Sequence, residues 1–408
     1  MKKHALLIVL GFLAVLLFIG DAAKFYNLGF VQFADAKLYD YRMRLTMSRD
    51  SDNRIVILDI DEKSLKQEGR WPWGRDKLAK LMDELFDHYN VAVVGFDVVF
   101  AEKDTSSGLN ILQELGRKQF KDVEQFQTVL NQVQPHLEYD ALFASKLEQR
   151  KVVLGYYFSN SETGSPASTS GALPEPAFTA GSFKGRSINF MKWDSFGANL
   201  PELQTKAAGA GHFNPVVDFD GVVRRIPMIV EHNGNYYESL SLAVVRSVLD
   251  MPKLAPGFAT GQSKDYGGLE WLTLESPQGN LNIPVDGEVS ALVPFRGGRG
   301  TFRYISVSDV LSERTKIADL QNKIVLIGTS APGLMDMRTT PVGEVYPGVE
   351  VHANMVSGIL SQNVKQNPPY VMGANVVLLL LIGVSLSLVL PLLAPVRGMI
   401  VTLGVIAA

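Results

Sequence analysis

Two apolar stretches bracket a long amphipathic middle. Ala5–Ile19 is a run of fifteen apolar residues, Val376–Leu390 is a second that is interrupted only by small residues, and Met399–Ala408 begins a third. Fifteen residues also suit the apolar region of a signal peptide, but Asp21 sits poorly in a cleavage site. A helix running on through Ala23 reaches about 20 residues, enough to cross ~30 Å of hydrocarbon. The pattern therefore predicts an uncleaved anchor over residues 1–23, a stalk helix over 24–50, and a transmembrane helix over 374–392. Pro391–Arg397 reads as a turn, and 398–408 as the start of a further span leading to an output domain beyond it. Lys2 and Lys3 place the N-terminus in the cytoplasm and Arg397 places the turn there too. The middle, 51–370, is then expected outside.

Within the middle, Arg54–Ile60, Val91–Phe100, Lys151–Phe158 and Lys323–Gly328 are continuous apolar runs of strand length, the pattern of a parallel sheet buried on both faces. Leu78, Leu81, Met82, Leu85, Phe86 and Tyr89 recur at three–four spacing, so Lys77–Tyr89 is predicted as a helix joining the first two strands. Asp104–Gln134 reads as a helical insertion. Tyr139–Glu148, Ser239–Asp250, Ser306–Ser312 and Val349–Leu360 read as helices, the last feeding the membrane. Asp220-Gly221, Asn233-Gly234 and Gly279-Asn280 mark hairpins, because such pairs supply the positive φ that tight turns need. Ser159–Ser182, rich in Ser, Gly, Pro and Ala, reads as a mobile loop. The fold class expected is α/β: a mixed β-sheet with flanking helices and a β-rich insertion, plus transmembrane α-helices at both ends.

Composition narrows the chemistry. A net charge of −3 over 408 residues does not suggest nucleic acid. The chain has no cysteine, which removes disulfides and thiolate metal sites. No nucleophile elbow, kinase signature or zinc-protease helix occurs, so catalysis within these residues is not expected.

Ligands of open α/β sheets gather beyond the carboxyl ends of the strands. Polar residues collect at three such ends: Asp59 and Asp61, Asp97, and Thr329 with Ser330. Asp97 lies among Phe96, Val98 and Val99, where an ionised carboxylate is costly unless paired. These residues, with Arg75 and Asp336, form a candidate pocket for an unknown small ligand or cation. The alternative is that the carboxylates cap loops and pair with Arg70, Arg75 or Arg224. Trp71-Pro72-Trp73 reads either as an aromatic lid or as core packing. Asp218-x-Asp220-Gly221 begins like a calcium loop but lacks its distal ligands, which favours a hairpin turn. His212 and His352 read as structural residues before metal ligands. Gly328–Gly333 follows a strand and could offer backbone N–H groups to an anion, but it lacks the lysine of a phosphate-binding loop.

Several stretches in order resemble the type-two CHASE domain, the extracytoplasmic sensor of bacterial cyclases and kinases. They are Tyr39–Arg44, Ile57–Leu65, Gly69–Arg75, Gly95–Phe100, Asp218–Arg224, Lys323–Leu334, and Asp336 through Pro341 to Gly348–Asn354. The resemblance spans about 330 residues and implies an anchored sensor domain in the periplasm, on a multi-pass protein of the bacterial inner membrane. It also implies three membrane helices before a cytoplasmic output. That output is most often a class III adenylate cyclase, which makes cyclic AMP and works as a homodimer. A histidine or Ser/Thr kinase, or a stand-alone binding protein that recruits partners, are the other readings. No cofactor is implied within the sensor region.

Overall fold

A strand that is apolar at every position needs cover on both faces, and the central strands are used that way. The computed structural model describes residues 2–161, 166–258, 268–277, 279–331, 336–366 and 370–407. The chain divides into two units, Tyr41–Gln366 and the terminal segments Met1–Asp40 with Asn367–Ala408. In the larger unit, strands Arg303–Ser306, Ile55–Ile60, Ile324–Thr329, Val93–Phe96 and Val152–Ser159 lie side by side in that order, each parallel to its neighbours. Ile55 to Leu58, Val93, Val94 and Val325 to Ile327 are all at most 2% exposed, and each such side chain contributes about 1.5–3 kcal/mol by burial. Val152–Ser159 then forks. Its first half pairs in parallel with Gly209–His212, and its second half pairs antiparallel with Ser195–Gly197. The sheet is mixed, as expected.

The predicted strand–helix–strand unit is present, with one difference. Ile55–Ile60 and Val93–Phe96 are parallel but not adjacent, because Ile324–Thr329, almost 230 residues further along, lies between them. The helix that joins them starts at Arg75 and runs to Asp83, with a π-turn over Glu84–His88. It buries Leu78, Leu81, Met82, Leu85 and Tyr89 against the sheet core. Leu240–Val248 is capped by Ser239, whose Oγ accepts from Leu242 N at 3.3 Å. The β-rich insertion uses the turns read from sequence. Val216–Val217 pairs with Val223–Pro227 across Gly221 (φ 78°), and Ile229–His232 pairs with Asn235–Glu238 across Asn233 (φ 52°) and Gly234 (φ 79°). Trp271–Glu275 pairs with Leu281–Pro284.

Gly211 is where a helix meets the sheet most closely. A Cβ there would lie 2.5 Å from backbone atoms of Ser239 and Leu240. Backbone cannot rotate away as a side chain can, so Gly211→Ala is expected to cost about 1–3 kcal/mol. A melting temperature several degrees lower checks this; an unchanged one would show that the helix can retreat without loss.

In the smaller unit, Lys2–Ala22 packs against Tyr370–Val389. Gly11 lies on Ser387 and Gly383 on Val15, small residues that let the two backbones approach. His4–Ala22 and Tyr370–Leu392 are long and apolar enough to cross a bilayer.

Three sequence expectations are corrected. The stalk is not continuous with the anchor: the first helix ends at Ala22 and the next spans Gly29–Thr46. Between them Lys24 takes a positive φ and Asp21 Oδ1 accepts from Leu28 N at 2.5 Å, which closes the turn. Arg397 falls inside a helix, Pro395–Ala407, since proline is tolerated in a first helical turn. The helix read as Val349–Leu360 starts one residue earlier, at Gly348, and Gly348 to Ile359 are all buried within the larger unit, so it is a helix of the core. Of the Ser159–Ser182 tract, residues 162–165 lie outside the described residues. Its Thr169–Ser170 pairs with Phe196 and Gly197, and Ala172 bridges Asn199, so that part is held to the sheet.

Candidate functional site

Because the central strands are parallel, their carboxyl ends lie at one edge of the sheet. Asp59 pairs in register with Gly328, and Asp97 N donates to Ile327 O at 2.8 Å. The polar residues read from sequence therefore do come to one edge, but they separate into three groups.

The first group surrounds a cavity of about 310 Å³. Asp97, Thr329 and Asp336 line it together with Trp71, Val98, Phe213, Arg338, Gly348 and Val349. The Asp97 side chain is 8% exposed. Its carboxylate accepts no hydrogen bond among the described residues, and its nearest charged or titratable partner is His352, with Nε2 at 4.0 Å. That imidazole is neutral near pH 7, since burial and then Arg338 push it down to about 4. Its Nδ1 lies 2.8 Å from Ser241 Oγ. Burial, reinforced by the nearby Asp336 and opposed by Arg338, raises Asp97 to about 7.

Asp336 is paired differently. Arg338 donates to its Oδ1 at 2.6 Å, and its backbone carbonyl accepts from Gly348 N at 2.9 Å. The Asp336 carboxylate rests on the first turn of the Gly348–Leu360 helix, close enough that a Cβ at Gly348 would lie 2.5 Å from Oδ2. The positive end of a helix dipole favours a carboxylate there. Gly328 sets this helix against the sheet, since a Cβ on it would be 2.6 Å from Val349 Cβ.

The second group is Asp59 with Ser330, whose Oγ donates to Asp59 Oδ2 at 2.5 Å. Burial raises the Asp59 carboxyl, the Ser330 hydrogen bond opposes this, and Asp61 adds to it. Asp61 itself is a helix cap: it accepts from Ser64 N at 2.7 Å and Ser306 Oγ at 2.8 Å, at the start of Glu62–Glu68. Neither Asp59, Asp61 nor Ser330 lines the Asp97 cavity.

Arg75 forms the third group, away from these carboxylates. Its guanidinium lies 3.5 Å from Asp140 Oδ1 and over the Phe100 ring, and its backbone N–H donates to Asp104 Oδ2 at 2.6 Å. Arg224 is likewise unrelated to the cavity. It binds Asp218 and Asp220, each at 2.8 Å, so the Asp218-x-Asp220-Gly221 motif is an arginine clamp across a hairpin.

Trp73 belongs to the core, while Trp71, in edge-to-face contact with it, packs against that core and also lines the cavity. His212 is fully buried against Phe158. Pro332 and Gly333 of the turn after Ser330 lie outside the described residues. Sequence reasoning missed Arg338 and Phe213, and took His352 singly. The Asp336-x-Arg338 spacing was the available signal for Arg338, since residues two apart on an extended segment share a face.

Chemically, the cavity carries one buried carboxylate that accepts no hydrogen bond among the described residues, one internal ion pair and aromatic walls, with the neutral His352 imidazole behind the carboxylate. That arrangement suits binding, and among the described residues no nucleophile–base pair lines it. A family model described as the CHASE2 domain matches residues 9–390 of the chain. No curated protein and no solved structure matches it.

Proposed function

The chain belongs to the CHASE2 family, whose domain is an extracytoplasmic sensor of signalling receptors, and from that premise we propose that the Asp97 cavity is the sensory site, binding a small solute outside the membrane. The observation that carries this reading is Asp97: a carboxylate 8% exposed, without a hydrogen bond among the described residues, facing an open cavity. A folded protein keeps such a group at a cost to stability, which is the mark of a site that serves something other than folding. The cavity volume falls at the lower end of the range for small-molecule sites.

Three separate pieces of the fold meet there: the strand end at Asp97, the hairpin strand Met337–Thr340 carrying Arg338, and the start of the buried Gly348–Leu360 helix. A solute that binds one arrangement of these pieces more tightly than another shifts the population between them. The helices at both ends are the spans of a multi-pass inner-membrane protein, with the larger unit in the periplasm. The output is a class III adenylate cyclase working as a homodimer, and the family resemblance supports that choice over a kinase.

Two experiments test the reading. A reporter enzyme spliced into the Ser159–Ser182 tract is expected to be active only outside the cytoplasm; cytoplasmic activity would overturn it. In the receptor joined to its output, Asp97→Ala is expected to shift the dose–response of cyclic AMP synthesis to its stimulus by tenfold or more, roughly the effect of deleting one hydrogen bond to a charged group. An unshifted response in a stably folded variant would remove the cavity from the signalling path.

A further inference from the structure

We infer that the solute is a small organic ammonium ion, its N–H groups donating to Asp97 and its hydrocarbon part lying between Trp71 and Phe213. This rests on the reading of the Asp97 cavity as the sensory site and adds the class of ligand to it.

Charge decides the sign. Arg338 and Asp336 neutralise each other at 2.6 Å, and His352 is neutral, which leaves the Asp97 carboxylate as the one uncompensated charge among the cavity's described residues. A ligand with a single positive charge closes that balance. An anion would meet an unscreened carboxylate in a low-dielectric cavity, and a neutral ligand would leave the carboxylate buried and unpaired.

The walls decide between an organic cation and a metal ion. Calcium takes six to eight oxygen ligands and magnesium near-octahedral geometry. Among the described residues no group of three His, Asp or Glu side chains is placed to hold a metal. Trp71, Phe213, Val98 and Val349 instead offer aromatic and aliphatic surface, and a cation is attracted to the face of such rings. About 310 Å³ is also far more room than a bare ion needs.

Binding would be linked to protons. The groups facing Asp97 are Asp336, Arg338 and His352, and burial holds His352 neutral near pH 7. Asp97, raised by burial to about 7, is itself half-protonated there. An ammonium ion, with a pKa near that of lysine, stays charged over this range and must displace the Asp97 proton. Its affinity should be level above about pH 8 and fall about tenfold per unit below about pH 6.

The test uses the whole chain in detergent micelles, titrated calorimetrically with methylammonium and 2-phenylethylammonium, and with 3-phenylpropionate and 2-phenylethanol as anionic and neutral counterparts. The expected result is that phenylethylammonium binds best, releases about half a proton per site at pH 7, and loses about 10- to 100-fold in affinity in Asp97→Asn. Equal or tighter binding of the propionate or the alcohol overturns the ligand class, as does ammonium binding that Asp97→Asn leaves unchanged, or no ammonium binding up to about 10 mM. The sensory reading is judged apart from this, by whether Asp97→Asn shifts the receptor's own dose–response. If it does while no ammonium binds, only the ligand class fails; if it does not, both fail.

Discussion

Asparagine at position 97 is expected to raise the melting temperature of the unliganded protein at pH 8, and to do so much less at pH 5. Asp97 is raised in the folded state from 3.8 to about 7. Its contribution to stability is therefore fully present below the unfolded value and is lost as pH rises through the folded one. Three pKa units correspond to about 4 kcal/mol at pH 8, falling to under about 2 kcal/mol at pH 5. Asparagine has the same shape without the charge, so the variant should gain roughly 5–10 °C at pH 8. The buried histidines act in the opposite sense. His212 and His352 are lowered by burial to about 3 and about 4 from 6.5, so their contribution is lost as pH falls below 6.5. In the wild type these trends offset one another over mildly acidic pH. In Asp97→Asn the histidine trend is less opposed, and stability should decline toward acid more steeply, by about 1.4 kcal/mol per unit. Melting curves at pH 5 and pH 8 for both proteins decide it; a variant less stable at both would show that the carboxylate is structural. A variant more stable yet unresponsive would be the expected signature of a binding group that costs stability.

Truncating Glu350 to alanine should have the largest effect in the other direction, a loss of about 3–5 kcal/mol. Glu350 is fully buried in the Gly348–Leu360 helix. Its carboxylate accepts from Gly300 N at 3.0 Å, Phe302 N at 3.3 Å and Tyr304 Oη at 2.9 Å. Burial pushes this carboxyl up, and the Gly300 and Tyr304 hydrogen bonds act against that. Alanine leaves the donors without an acceptor in the interior and detaches the helix from the segment entering the edge strand Arg303–Ser306. A glutamine should recover part of the loss, since its carbonyl accepts from some of these donors while its amide N–H₂ cannot. Comparing thermal melts of the two variants checks this. Equal stability of the alanine variant and the wild type would mean that solvent or a rearranged loop satisfies the donors.

Glu350 also shows why the burial of one helix is not legible in sequence. Glu350, Asn354 and Ser357 fall at four- and three-residue steps, a stripe that in sequence looks like the wet side of an exposed helix. In the fold every member is buried and partnered. Asn354 Oδ1 accepts from Arg296 N at 2.8 Å and its Nδ2 donates to Tyr346 Oη at 2.8 Å, while Ser357 Oγ donates to Asp52 at 2.7 Å. Apart from a tyrosine on the neighbouring hairpin, the partners lie 46 to about 300 residues away in the chain, and periodicity carries no trace of them.

What the sequence alone determined is local. Apolar runs of strand length gave the buried parallel strands, three–four spacing gave the helix expected over Lys77–Tyr89 and found as Arg75–Asp83 with its π-turn, and Asp-Gly and Asn-Gly pairs gave the hairpins, because backbone preference and side-chain period act over a few residues. Runs of fifteen or more apolar residues gave the terminal helices by the same logic. It also brought Asp97, Thr329 and Asp336 under suspicion, since a carboxylate amid Phe96, Val98 and Val99 is conspicuous in any context. The tertiary structure alone decided which of the candidates meet. Inserting Ile324–Thr329 between the first two strands put Asp59 and Asp97 on opposite sides of it, sent Asp61 to cap a helix and Arg75 to Asp140, and assembled Arg338, His352 and Phe213 around Asp97 instead. Sheet order is set by how whole elements share one core, and that energy is spread over contacts between residues far apart in the chain, where no local pattern can record it.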